Sequence, residues 1–470
     1  MARAQSWLLL VLLALLVGVE HLYALQSSPG FHYDESWAAN FALAISEHRV
    51  EWPLHAMSPY TFAWAHYIAA FFLHFFGVNL LVFRLSQVGM ALLGIVALTR
   101  TYWKDRPADA LSFLFLLALL PGLAFNHRFA IELNGFHVLC FGLFIFCYER
   151  RMIWTALLVA WFGVTSHILF FAPALAFLGS RVMKLDLKER ERNGWILWLG
   201  ALLPYFAHVA HHVPEAKKAW LLFAFTATLL LLLLFRGERL LKRPMPLLAK
   251  ILPILAVPFL VNALFFLPGE WTVLVNTGQF AMLLPLLLGI SVSLACAYLL
   301  WLERAEWNGV LLCVIFAGLM MLKPTPRYFE CSMLWIVFLF AKGFLRLPAL
   351  PRLAFAALFL ANAALAYHGY FSSEHQQRSI HFLAWKDDSR EFLPKQELAK
   401  FLGLSGCPIS AIKSVDSRTY EPLRFLSHGD WPLASVTCPW NTSLLIAPSS
   451  EAPQVANPKF VGGFQVWGTP

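Results

Sequence analysis

The sequence predicts an all-α polytopic membrane protein with interfacial helices in its first outer loop and a small α/β domain appended after the helices. Three observations carry this. Hydrophobic residues fill 59% of the 470 positions and charged residues only 13%, against roughly a quarter charged in soluble domains. The apolar residues come in long runs separated by short cation-bearing loops, the pattern of successive spans. After about residue 370 the character changes: charge returns in Glu374, Lys386-Asp387-Asp388 and Arg390-Glu391, and Pro and Ser punctuate the chain.

Trp7 to Leu25 is the first run, long enough at about 1.5 Å per residue to cross a bilayer core. Tyr23-Ala24-Leu25-Gln26 is a poor small-x-small cleavage site and more spans follow, so the run reads as an uncleaved helix. The first outer segment is long, about 26–79. In it Ser36–His48 places Trp37, Phe41 and Ile45 at helical spacing, and Pro59–Phe76 is aromatic-rich around His66 and His74. Both stretches read as interfacial helices lying along the outer leaflet. Further apolar runs near 80–100, 108–126, 134–149, 153–166, 168–181, 194–210, 218–235, 247–267, 280–301, 308–322, 331–346 and 353–370 bring the expected total to thirteen. The 153–181 block is long enough to be one span or two.

Loop charge decides between them and sets the orientation. Arg3, the Arg100–Arg106 loop, Arg150-Arg151, the Arg181–Arg192 loop, the Arg236–Lys250 loop, Arg304 and the Lys342–Arg352 loop together hold 20 cations. The opposite loops hold seven: Arg49, Arg84, Arg128, Lys217, Lys218, Lys323 and Arg327. The richer side is cytoplasmic. One span over 153–181 would invert every later loop, so two are expected. The N-terminus then lies inside and the tail outside, in the plasma (inner) membrane. The net charge of +9 reports orientation, and nothing in it asks for a nucleic acid.

Residues 1–370 thus form the transmembrane domain and 371–470 an exported one. In the tail Pro394–Leu402 and Tyr420–Leu426 read as helices, and Ile409–Val415, Ser443–Ala447 and Lys459–Trp467 as strands. Cys140, Cys147, Cys296, Cys313 and Cys331 lie in or beside spans, as small apolar residues do. Cys407 and Cys438 are together in the exported tail and are a disulfide candidate.

The chemistry-bearing residues collect on the outer side. Tyr33-Asp34-Glu35-Ser36 sets two carboxylates at the membrane surface just after the first helix, where burial can perturb proton affinity. An acidic residue before Ser-Trp-Ala is also a helix start. Glu132, Arg84, Arg128, Lys323 and Arg327 face the same way. Pro324 and Pro326 break the helix between the last two cations, and Tyr328 follows. Cations at span ends also anchor headgroups by snorkelling. Outer-side histidines are abundant, and imidazole suits zinc. No pair of them has a ligand spacing with a carboxylate, so they read as interfacial and structural.

The order of these elements resembles the GT-C membrane glycosyltransferases, specifically the protein O-mannosyltransferase and aminoarabinose-transferase-like group. The resemblance covers most of the chain. It rests on a first helix ending in Asp34-Glu35, then an interfacial stretch from Pro53-Leu54 and Pro59-Tyr60 to Phe76-Gly77-Val78-Asn79. Phe83-Arg84-Leu85-Ser86 opens the second span, which ends in Arg100-Thr101-Tyr102-Trp103. His127-Arg128-Phe129-Ala130-Ile131-Glu132-Leu133 closes the third, and Pro326-Arg327-Tyr328-Phe329 comes late. The family often has Asp at the Glu132 position, and a lysine where Thr165-Ser166-His167 stands.

The resemblance implies transfer of a sugar from a polyprenyl-phosphate donor to a lipid, glycan or protein acceptor at the outer face. Such a reaction needs a base for the acceptor hydroxyl and positive groups for the departing phosphate. Asp34 is then expected as the base, with Glu35 supporting it or holding a metal, and Glu132 as an acceptor-site carboxylate. Arg84, Arg128, His167, Lys323, Arg327 and Tyr328 are the expected donor-phosphate residues. The sequence names no cofactor, and a divalent metal is compatible. An oligosaccharide ligase or polymerase, a transporter and a non-catalytic assembly protein are the alternatives.

Overall fold

A computed structural model describes residues 2–27, 31–51, 53–56, 61–128, 134–183, 188–212, 224, 226–228, 283–302, 330–371, 395–402, 412–414, 417–427, 444–448, 459–461 and 464–468. Helices dominate. α1 (Ala2–Leu22) leads into α2 (Tyr33–Ser46) and α3 (Trp64–Phe76), the two helices of the first loop. Gly77 ends α3 at φ +90°, a backbone conformation that favours glycine. Asn79 then caps α4 (Leu80–Trp103), its side chain accepting from the Val82 N–H at 2.9 Å. A proline opens each of α5 (Pro107–Ala118) and α6 (Pro121–Arg128), which meet at 69°. The apolar run expected over 108–126 is therefore bent, because Pro121 cannot donate into a continuous helix.

α7 (Asn134–Glu149) and α8 (Ile153–Ser166) reverse at Arg151, φ +61°. The 153–181 block is two helices: at His167 the backbone is extended (φ −161°, ψ 131°), a short 3₁₀ turn follows at Ile168–Phe170, and α9 (Phe171–Met183) runs back. Next come α10 (Glu189–His212), α11 (Leu283–Leu302), α12 (Glu330–Arg346) and α13 (Ala349–Phe371). Among the described residues Ala4–Leu22, Leu80–Trp103 and Ala349–Tyr367 are each long and apolar enough to cross a membrane, and α5 with α6 makes a fourth if the bent pair is one span. The runs expected near 218–235, 247–267 and 308–322 lie outside the described residues, apart from a few positions of the first.

Beyond α13 are α14 (Lys395–Phe401), β1 (Ile412–Ser414), α15 (Ser417–Leu426), β2 (Leu444–Pro448), β3 (Lys459–Val461) and β4 (Phe464–Gly468). The four strands form one sheet ordered β1-β2-β4-β3, with β1 and β2 parallel and the other pairs antiparallel. The single strand expected over Lys459–Trp467 is a pair flanking Gly462-Gly463.

The bundle is held at its centre by α4 on α7. A Cβ on Gly142 would meet the Gly94 carbonyl oxygen at 2.1 Å, and one on Gly135 would meet that of Gln87 at 2.0 Å. Backbones this close need glycine, and in lipid such van der Waals approach replaces hydrophobic drive between helices. Aromatic rings fill the space around it: Phe144 meets Phe177 and Trp195 edge-on at centroid distances of 5.2 and 6.1 Å. Cys140, Cys147, Cys296 and Cys331 are buried thiols.

Helix ends sort into two groups. At one end Trp7 of α1 meets Trp103 of α4 at 4.9 Å. At the other, Tyr23 just past α1 meets Phe371 of α13 at 5.1 Å. The first-loop helices gather at this second end, where Phe62 N–H donates to the Thr165 carbonyl at 2.9 Å and His55 stacks on His208 at 4.7 Å.

Candidate active site

Asp34 and Glu35 occupy the first turn of α2, where acidic residues complement the helix dipole. His32 caps this helix: its Nδ1 accepts from the Asp34 N–H at 3.0 Å, while Glu35 accepts from the His32 N–H at 3.4 Å. This reciprocal capping fixes the helix start. Successive helical residues point about 100° apart, so the two carboxylates diverge. Glu35 turns inward and is fully buried; Asp34 stays half-buried at the rim.

Glu35 meets Arg84 in a bidentate pair, Nε to Oε1 and Nη2 to Oε2 both at 2.7 Å, with neither side chain exposed. The fork of Arg84 matches the carboxylate plane. Its Nη1 donates to the Leu25 carbonyl at 2.9 Å. One guanidinium thus ties the exit of α1, the start of α2 and α4 together. These contacts engage the groups that the sequence reading offered to a metal and to the donor phosphate.

Arg128 acts on the same helix end from the other side. Its Nη1 donates to the carbonyls of Glu20 and His21 at 3.1 and 3.2 Å, capping the last turn of α1, whose carbonyls lack helical partners. Its guanidinium lies over the Phe371 ring at 5.2 Å. His21 Nδ1 is 2.7 Å from the Val17 carbonyl and must donate to it, so His21 Nε2 accepts from His127 Nδ1 at 2.9 Å. The sequence signal for this buried network was Glu20-His21, polar residues closing the first apolar run.

His167 caps the 3₁₀ turn after α8, its Nδ1 accepting from the Leu169 N–H at 3.3 Å. Its ring lies 5.8 Å from that of His137, whose Nε2 is 2.7 Å from Ser166 Oγ. Thr165 Oγ1 accepts from Trp64 Nε1 at 3.0 Å, which ties this turn to α3. His66 of α3 is buried edge-on to Phe41 at 5.0 Å, and burial pushes its pKa down to about 3. Among the described residues no three His, Cys, Asp or Glu converge on one point as a metal site requires. Glu132, Lys323, Arg327, Tyr328, Cys407 and Cys438 lie outside the described residues.

The distal tail reaches this site, which the sequence did not signal. Asn40 of α2 donates to the Glu421 carbonyl at 3.0 Å and to Glu421 Oε2 at 3.1 Å. Phe425 of α15 packs between Phe31 and Phe83 at 5.5 and 5.9 Å. Gln396 of α14 donates to the Gln26 carbonyl at 3.3 Å. α2 is held from below by Arg84 and from the tail by α15.

By sequence, no protein-family model and no curated protein matches the chain. The structure is similar to ArnT from Cupriavidus metallidurans in the apo state, with a TM-score of 0.50 and 12% identity over 100% of this chain and 98% of that one. ArnT bound to undecaprenyl phosphate matches with a TM-score of 0.44 and 13% identity over 99% and 98% of the two chains. The oligosaccharyltransferase AglB from Archaeoglobus fulgidus, in complex with an inhibitory peptide and a dolichol-phosphate, matches with a TM-score of 0.46 and 13% identity. That match covers 91% of this chain and 64% of AglB; another structure of the archaeal enzyme is covered over only 53%. The protein is a membrane protein whose fold resembles that of ArnT.

Proposed function

We propose that this protein is an integral-membrane glycosyltransferase. It moves a sugar from a polyprenyl-phosphate donor to a lipid, glycan or protein acceptor at the outer face of the inner membrane, with Asp34 as the base. The observation that carries this reading is the division of labour in the first turn of α2. Glu35 is locked inward on Arg84, while Asp34 is half-buried on a helix start fixed by that ion pair and by the two capping bonds with His32. A base must be positioned before its proton affinity matters. The fold shared with ArnT supports the reaction class, since ArnT is known with undecaprenyl phosphate bound.

In this reading Asp34 accepts the proton of the acceptor hydroxyl as the new glycosidic bond forms. The phosphate leaves as a monoester and needs no strong acid, only positive charge. Lys323 and Arg327 supply that charge, with Tyr328 donating to a phosphate oxygen. Arg84 and Arg128 instead hold α1, α2 and α6 in place, and Glu132 belongs to the acceptor side. The N-terminus is cytoplasmic and the tail beyond α13 extracytoplasmic.

The test is Asp34→Asn. Turnover should fall at least about 100-fold, the usual contribution of a positioned proton acceptor, with unchanged expression. A strain carrying only this variant should accumulate polyprenyl-phosphate sugar in its lipid extract. Normal turnover, or no accumulated donor, overturns the assignment.

A further inference from the structure

A cavity lies at the end of the bundle opposite Asp34, and nothing in the transfer reaction uses it. It measures about 480 Å³ and opens between the ends of α4, α7, α9 and α12, within the size range of small-ligand sites. Arg84 and Tyr102 mark the two ends of α4; eighteen helical residues separate them by about 27 Å. The cavity cannot therefore be a lobe of the site around Asp34.

Its walls are cationic. Lys104, Arg106, Arg150, Arg181 and Lys342 line it, against only two carboxylates, Asp105 and Glu149. Arg181 is 3.5 Å from Glu149 Oε1 and lies over the Tyr148 and Phe177 rings at 5.3 and 5.4 Å. These contacts fix its fork in place. Arg150 lies over Phe146 at 5.4 Å. The other walls are aromatic: Tyr102 stacks on Phe338 at 4.2 Å, beside Trp335.

Cations that snorkel lay their stems along apolar surface and keep their heads in water. Here five converge on one open cleft between helix ends, with an excess of three positive charges over carboxylates. Arginine forks match phosphate oxygens and lysine adds point charge. Basic pockets between helices at the cytoplasmic side take anionic headgroups. From the convergence of five cations on one cleft, the charge excess and the aromatic wall, we infer that this cavity binds a phosphate-bearing group. The group comes either from an anionic phospholipid headgroup or from a soluble diphosphate.

The test uses the full-length protein in detergent. Native mass spectrometry reads retention of added phosphatidylglycerol against phosphatidylcholine, and titration calorimetry reads binding of inorganic pyrophosphate. Lys104→Gln with Arg150→Gln should weaken binding of the anionic probe roughly ten-fold or more. Arg100→Gln, on the same end of α4 but off the cavity wall, should change it less than about two-fold, well under 1 kcal/mol. If the double variant is not monodisperse, Arg106→Gln replaces it. Loss of phosphatidylglycerol retention identifies a lipid headgroup as the source. Pyrophosphate binding that is lost in the variant, without lipid retention, identifies a soluble ligand. Equal effects in the cavity and Arg100 variants, or equal retention of phosphatidylcholine, overturn the inference.

Discussion

At the residue scale the first long loop is organised by buried charge. Glu35 and Arg84 share two hydrogen bonds with no exposed surface. Removing one partner of such a pair costs about 3–5 kcal/mol, because the other charge is left buried. Glu35→Gln should therefore lower the thermal midpoint in detergent. Glu35→Gln combined with Arg84→Met should recover part of the loss, since two apolar or neutral groups strand no charge. A double variant less stable than either single one would refute the structural reading of this pair. His66 offers a separate check. Its burial lowers the pKa from 6.5 to about 3, so the unfolded chain binds a proton that the folded one refuses. Stability from this group is full above pH 6.5 and falls as pH drops toward 3. Between pH 7 and pH 5 the loss is about 2 kcal/mol. His66→Leu should flatten that part of the pH–stability curve, and an unchanged slope would refute the assignment.

At the element scale α4 and α7 form the spine. Gly94, Gly135 and Gly142 let the two backbones touch, and a side chain at Gly142 would have to push them apart. Gly142→Leu should destabilise by about 1–3 kcal/mol or more, read as a lower midpoint or loss of folded protein. Gly200 of α10 faces open space, so Gly200→Leu is the control and should be nearly neutral. Prolines and extended backbone explain where helices stop. Pro121 bends the third apolar run, and the extended His167 splits the 153–181 block into two helices. Proline was visible in the sequence as a breaker. The turn at His167 followed from loop charge alone, because Thr165-Ser166-His167 carries no Gly or Pro.

At the scale of the whole molecule the bundle has two chemically distinct ends. Asp34, Arg128, His167 and the C-terminal end of α10 lie at one; the cation-lined cavity lies at the other. The cation bias predicts that the second end faces the cytoplasm. Reporter fusions should place residue 190 inside and residue 380 outside. A reversed result at either position would overturn the orientation. α15 lies on α2 through Asn40 and Phe425, so the tail and the first loop share one end.

Composition and apolar spacing were enough to read a helical membrane protein, and the residue pattern showed the two helices of its first loop and the acidic pair that opens the first of them. These are properties of runs and averages: apolar length reports burial in lipid, and cation bias reports sidedness, whatever packs on what. Tertiary structure alone decided which carboxylate of the pair is fully buried. Asp34 and Glu35 are neighbours of equal chemistry, and only the approach of Arg84, 49 positions away, turns one into a buried ion pair and leaves the other at the rim. It also decided that Arg128 caps α1 and that α15 reaches α2. Partners distant in sequence choose a side chain's role through geometry, and no local pattern carries that information.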